Sequence, residues 1–196
     1  SIRRFWDKST NELTLIAKQN LKSNKENKYK NLIIPIRASI INSKKYSKPF
    51  TLILDKEEKH FRFQDASDDL KKPITSLFRG FSAPVNWDTD LSTDELFYLI
   101  EHDDDLFSIW DAFQSLIRKV IFNTNYNQTD KLLELKLLDS LQKNIIKFKN
   151  KDRSFLAAIL RIPTVLELEN HHNPIDPINI EKAYNQLIKL IGESIF

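Results

Sequence analysis

The residues best suited to metal chemistry are four histidines, His60, His102, His171 and His172. A zinc hydrolase needs two histidines one helical turn apart with a glutamate beside the first, so that both imidazoles reach one ion. No pair in this chain has that spacing, and adjacent residues cannot share one face of a helix. We therefore expect no metal site, and an exposed loop at His171 and His172.

Carboxylates surround His102 and could suggest a cation site: Glu101, Asp103, Asp104 and Asp105. A calcium loop also needs a glycine for its sharp turn and a distal bidentate acid. Neither stands at the right offset. We predict that these acids end one helix and begin the next, where the helix dipole favours negative charge.

Phosphate binding and nucleophilic catalysis lack their usual sequence patterns. The only glycines are Gly80 and Gly192, and neither lies in a glycine-rich turn. No serine stands in a nucleophile elbow. The absence of cysteine excludes thiol catalysis, thiolate metal sites and disulfides, and it fits a reducing, cytoplasmic location. We predict no catalytic residue and no cofactor in this region.

A lysine-rich stretch could bind nucleic acid, and it contains Lys22, Lys25, Lys28 and Lys30 with Tyr29 among them. Asparagine, serine and Glu26 dilute its charge. We interpret it as a solvated hairpin loop between strands and expect no nucleic-acid partner, with nucleic-acid binding by this basic half left as a rival hypothesis. The sequence contains no run of eighteen apolar residues, so we predict no membrane span and no membrane partner.

The elements that carry these residues change in character after Asp88. Residues 1–88 hold 18 basic and 10 acidic side chains, net +8, and residues 89–196 hold 12 and 17, net −5. The first half has strand-like runs at Leu13–Lys18, Leu32–Ile41, Thr51–Leu54 and Phe61–Phe63. Turn-like stretches separate them at Lys8–Asn11, Asn42–Lys45 and Asp55–Glu58. We predict an antiparallel β-sandwich over residues 1–88.

Residues 89–196 have the hydrophobic period of helices. Ser92 to Glu95 reads as a capping box. Apolar residues then recur at three-and-four spacing in three sets, which begin at Leu106, Leu133 and Ile180. Pro177 would occupy the first position of the last helix. Short connections predict antiparallel helix pairs, as in a bundle or an α-solenoid, and the apolar last helix suggests that the natural chain continues beyond it.

One segment, Pro73 to Val85, is unusually specific. Its letters SLFRGFSAPV closely resemble the S-L-x-R-G-F-S-A-P-V stretch of bacterial-type aminopeptidase N, the zinc-dependent alanyl aminopeptidases of the gluzincin group. Three downstream stretches resemble the same family in the same order: Trp110–Gln114, its W-[DE]-A-x-Q helix, Ile162–Thr164, its L-P-S turn, and Ile175–Ile180, its I-D-P-x-x-I helix start.

This resemblance implies an immunoglobulin-like domain followed by the opening helices of a C-terminal helical domain. The family's zinc and substrate-amine motifs lie upstream, so the resemblance carries over no catalytic residue. It implies a parent peptidase that removes N-terminal residues from peptides, with this region as spacer and helical lid against the catalytic domain of the same chain. The site residues it singles out are a structural motif at the domain junction, namely Arg79, Gly80, Phe81, Ser82, Ala83 and Pro84, and a helical packing set, namely Trp110, Gln114, Asp176 and Pro177.

Several roles inside the motif stay open at this level. Gly80 supplies either a positive φ or a close backbone approach. Phe78 and Phe81 are expected to bury large apolar area on either side of it. Arg79 is either held at a junction by a carboxylate or carbonyls, or contacts substrate. A stand-alone protein-binding module, with the helices presenting a concave surface, is the alternative function.

Overall fold

The computed structural model describes residues 1–20, 31–41, 47–69, 71–125, 130–169 and 176–195. The chain divides into two compact units. One, here the β-unit, comprises Ser1–Glu95 and Asp105–Ser108, and the other, the helical unit, comprises Leu96–Asp104 and Ile109–Phe196. The lysine-rich stretch, the turn at Asn42–Lys45 and the His171/His172 pair lie outside the described residues.

The β-unit contains two three-stranded antiparallel sheets. In the first, β2 (Glu12–Lys18) lies between β1 (Ile2–Asp7) and β5 (Glu58–Phe63). In the second, β3 (Ile34–Ile41) lies between β4 (Phe50–Leu54) and β6 (Ile74–Ser76). The predicted strands β2 to β5 are confirmed. β1 and β6 were not expected, since β1 carries two adjacent arginines and β6 is only three residues long.

Alternation along the strands builds the core of the β-unit. Leu13, Leu15 and Ala17 are each at most 1% exposed, as their period-2 spacing predicts. Ile36 and Ala38 belong to the same buried cluster from the second sheet. The strands on either side of the lysine-rich stretch, β2 and β3, lie in different sheets.

Helices follow: α1 (Thr93–His102), α2 (Leu106–Asn125), α3 (Lys131–Phe148), α4 (Arg153–Leu160), α5 (Val165–Glu169) and α6 (Pro177–Ile195). The three predicted apolar faces are confirmed, with Phe113, Leu137 and Ile180 completely or nearly completely buried. The short helices α4 and α5 were not predicted. Within the helical unit, α3 packs on α4 and α6, and α5 packs on α6. None of the described helices is long and apolar enough to cross a membrane.

Polar caps determine where several helices begin. Glu95 N–H donates to Ser92 Oγ (3.2 Å), and Ser92 N–H donates to Glu95 Oε2 (2.7 Å), which confirms the predicted capping box of α1. α6 begins at Pro177, as predicted. Because all the strands precede all the helices along the described chain, the predicted order of a β-domain followed by a helical array is confirmed.

Candidate functional site

The Arg-Gly-Phe-Ser segment runs along the part of β3 that β6 leaves unpaired. β6 pairs only with Ser39 to Ile41. Beyond it, Arg79 N–H donates to Arg37 O (3.0 Å), and Ser82 Oγ accepts from Arg37 N–H and donates to Pro35 O, both at 3.0 Å. Irregular backbone thus satisfies a strand edge that would otherwise expose unpaired groups.

Three residues of this segment have left-handed backbone: Phe78 at φ 53°, Gly80 at 63° and Phe81 at 56°. A Cβ added at Gly80 would meet only Arg37 Nη1, at an ordinary 3.9 Å. The positive φ, and not a close approach, therefore favours glycine at position 80, which decides between the two roles considered for Gly80.

The two phenylalanines beside Gly80 point to different environments. Phe78 is 4% exposed and stacks edge-on against Trp87, with ring centroids 4.1 Å apart. Phe81 is 56% exposed and meets Phe107 at 5.2 Å between centroids. The expectation that Phe81 is buried is wrong, because only Phe78 belongs to the buried cluster of the β-unit, while Phe81 stays at the surface.

A chain of hydrogen bonds links the motif to the start of α2. Arg79, only 5% exposed, donates from Nη1 to Ser76 Oγ (2.9 Å). Ser76 Oγ donates to Ser108 Oγ (2.9 Å), and Ser108 Oγ donates to Asp105 Oδ1 (3.1 Å). Gly80 N–H also donates to Asp105 Oδ1 (3.1 Å). Arg79, through the two serines, and Gly80, directly, are therefore both hydrogen-bonded to the carboxylate of Asp105.

That carboxylate also caps α2. Ser108 N–H donates to Asp105 Oδ1 at 2.9 Å, the geometry of an N-cap residue. α1 ends at His102, and Asp103 donates its backbone N–H to Leu99 O (2.8 Å). The prediction that the acidic run ends one helix and begins the next is confirmed.

Sequence reasoning missed a second polar cluster, around Arg4. The side chain of Arg4 is 1% exposed. Its guanidinium donates from Nε to Asp90 Oδ1 (2.8 Å) and from Nη1 and Nη2 to the two Glu95 oxygens (2.7 Å each). Pro73 O and Asp90 O accept further bonds at 3.2 Å. The available signal was the inward phase of Arg4, which shares one face of β1 with buried Ile2.

Charge pairing outweighs burial throughout this cluster. Burial alone would lower the pKa of Arg4, but hydrogen bonds to Glu95 and Asp90 raise it above its ordinary value. Burial alone would raise the pKa of Asp90 and of Glu95, but the bonds and charge of Arg4 lower both. Lys72 adds to the effect on Asp90, and Ser92 N–H adds to that on Glu95. All three groups are therefore charged at neutral pH.

The residues singled out in the helical unit make packing and capping contacts. Gln114, 5% exposed, donates from Nε2 to Arg161 O (3.0 Å) just beyond α4, and Trp110 is half-buried. Asp176 Oδ1 accepts from Asn179 N–H (3.2 Å), so it caps α6 before Pro177. In the β-unit, Ala83 is buried and Pro84 is exposed. Among the described residues, no three acidic or histidine side chains gather where they could hold a metal ion.

Two family models together span almost the whole chain. Residues 1–90 match the family described as "Domain of unknown function (DUF3458) Ig-like fold". Residues 93–196 match the family described as "Domain of unknown function (DUF3458_C) ARM repeats". These descriptions agree with a β-sandwich followed by a helical solenoid.

Curated relatives carry the name aminopeptidase N. The protein from Caulobacter vibrioides is 31% identical over 115 residues, 59% of this chain and 13% of the relative. Those from Haemophilus influenzae (32%, 127 residues) and Escherichia coli (29%, 126 residues) each match over 63% of this chain. The matched stretch is 13% to 14% of the length of these relatives.

A solved structure shares the fold. The crystal structure of Legionella pneumophila aminopeptidase A in complex with aspartic acid matches with a TM-score of 0.78 at 22% identity, over 99% of this chain and 22% of that one. Since the ARM-repeat model alone covers more than half of the residues, this chain belongs to the DUF3458_C family, with an Ig-like DUF3458 domain before its helices.

Proposed function

We propose that this chain is a non-catalytic region of an aminopeptidase N that removes N-terminal residues from peptides. The observation that carries the proposal is the similarity to three proteins named aminopeptidase N, together with the two adjoining family matches. In this proposal zinc and the peptide-binding residues belong to the rest of the parent chain, which works in the cytoplasm without nucleic-acid or membrane partners. We place the domain boundary after Asp88.

The β-unit would act as a spacer and the helices as a lid over the catalytic domain. A lid narrows the entrance, which selects short peptides and limits exchange of water with the active site. The internal bonding of the motif supports a structural role for Arg79 to Pro84. Arg79 is buried and its Nη1 donates to Ser76 Oγ, which in turn donates to Ser108 Oγ at the start of α2. We therefore favour a structural Arg79 over one that contacts substrate.

The test uses the full polypeptide that carries this chain. Release of N-terminal residues would be measured on peptides of increasing length, with and without a zinc chelator. We expect chelator-sensitive activity that falls with peptide length, and a variant lacking the helices should lose that dependence on length. Absence of peptidase activity in the folded polypeptide would refute the proposal, and an unchanged length profile would refute the lid.

One observation favours the alternative, a protein-binding module. Leu132, Leu135 and Ile146 of α3 are 64% to 69% exposed, and their spacing places them on one face of the helix. A polypeptide without peptidase activity that retains a protein partner through this face would support that function. The matched variants are Leu135→Ser on the exposed face and Lys143→Ser beside it.

A further inference from the structure

Phe81 combines two unfavourable properties, a left-handed backbone and an exposed aromatic ring. Outside glycine, left-handed backbone is uncommon, and asparagine, aspartate and histidine are several-fold enriched in it. The other such residues of the β-unit follow this rule at Asn11 and Asp65, or are compensated by burial at Phe78. Within the β-unit, burial does not offset the backbone strain at Phe81, because its side chain is exposed. Strain of this kind concentrates at binding sites.

The neighbours of Phe81 form a small aromatic patch with a cation at its edge. Phe107 lies beside it, and the preceding Leu106 is 39% exposed. Arg37 Nη1 lies 3.9 Å from the position of a Cβ on Gly80, and Arg37 forms no ion pair with any described residue. The nearby Asp105 is engaged in capping α2 and in the bond from Gly80. The patch therefore offers an apolar anchor next to an available guanidinium.

The size of the patch indicates what kind of partner could cover it. Three partly exposed side chains of this type present roughly 250 Å². A stable complex between separate proteins buries about 800 Å² on each partner. A domain tethered in the same polypeptide needs less area, because the linkage raises its effective concentration. The stretch matched in the curated relatives is 13% to 14% of their length, and under the proposed function the rest of the polypeptide supplies such a domain.

We propose that Phe81, with Leu106 and Phe107 beside it, anchors the β-unit in an apolar pocket of the catalytic domain of the same polypeptide, and that a carboxylate at the pocket rim faces Arg37. This inference rests on the proposed function and adds the docking residues to it. Aromatic side chains in desolvated pockets commonly dominate the binding energy of an interface.

The test is hydroxyl-radical footprinting of the full polypeptide, native and denatured, with phenylalanine oxidation read by mass spectrometry. An undocked Phe81 at 56% exposure should be oxidised about twofold more slowly in the native state. A docked one should be slowed about tenfold or more. Arg37→Glu should raise native oxidation of Phe81 severalfold, whereas Arg62→Glu, an exposed cation on β5, should not. Only twofold protection of Phe81 would overturn the docking. No response to Arg37→Glu would overturn the carboxylate at the rim of the pocket.

Two further outcomes separate the docking from the proposed function. If Phe81 is unprotected in a polypeptide that does hydrolyse peptides, only the docking is wrong. If the polypeptide lacks peptidase activity, the proposed function fails and the catalytic domain is excluded as occupant whatever the footprint. Protection that appears only at concentrations where the polypeptide dimerises assigns the patch to a second copy and also overturns the proposal.

Discussion

Removing the carboxylate of Glu95 should destabilise the β-unit substantially. Glu95 accepts two charge-assisted bonds from Arg4, whose side chain is 1% exposed, and it also closes the capping box of α1. Removing one partner of a buried ion pair costs about 3–5 kcal/mol. Asp90 stays bonded to Arg4, which places the pair near the lower limit, and the cap adds about 1 kcal/mol. We therefore expect Glu95→Ala to cost about 3–4 kcal/mol.

Two companion variants separate these contributions. Ser92→Ala removes only the serine side of the cap and should cost about 1 kcal/mol. Glu95→Gln keeps an acceptor for Ser92 N–H but loses the charge opposite Arg4, so its cost should be about 2 kcal/mol. Glu58→Ala is the control, since its pairs with Lys18 and His60 are solvent-exposed, and it should leave stability unchanged.

The assay is urea unfolding followed by tryptophan fluorescence. Trp6 and Trp87 lie in the β-unit, and a Trp110→Phe background removes the signal of the helical unit. The pH dependence gives a second readout. Because the folded pKa values of Asp90 and Glu95 are lowered, their stabilisation is complete above the ordinary carboxylate pKa values, about 3.9 and 4.3, and is lost as pH falls through the lower folded values.

Glu95→Gln should therefore flatten the acid side of the stability profile while leaving its shape above pH 5 unchanged. Arg4 contributes no slope in this range, since its pKa is raised above an already high value. If Glu95→Ala costs no more than Ser92→Ala, the buried pairing of Arg4 contributes nothing to stability and the reasoning is wrong.

Three further changes test other features. Gly80→Val should destabilise the β-unit by about 1–2 kcal/mol, because the backbone at this position has a φ of +63°. Gly192→Ala, in α6 with open space around it, should stabilise the helical unit by up to about 1 kcal/mol. Equal effects of the two variants in urea unfolding would contradict the role of φ at Gly80. Asp105→Ala should cost about 1–2 kcal/mol by removing the α2 cap and the acceptor of Gly80 N–H, and the exposed Asp94→Ala should cost less; the reverse order would count against the network. Gln114→Leu should cost about 1–3 kcal/mol by leaving the Arg161 carbonyl without its donor, and faster amide exchange after α4 would report the loss; unchanged exchange would argue against that bond.

Patterns that repeat along the chain were predictable because they depend on neighbouring residues. Leu13, Leu15 and Ala17 face the core at period 2, and Phe113 and Leu137 are buried at helical period. The capping box at Ser92 and the helix start at Pro177 are likewise local signals. β1 was missed because an arginine on its inward face breaks the apolar alternation.

The sequence by itself determined the order of a β-domain and a helical array, the faces that are buried, the helix caps and the resemblance of the Arg-Gly-Phe motif, since each is encoded within a few consecutive residues. Only the tertiary structure decided which strands share a sheet, that Arg4 finds acceptors 86 and 91 residues away, and that Phe81 faces solvent while Phe78 is buried. These features depend on where distant segments meet and on single backbone angles, and neither is expressed in the period or composition of the chain.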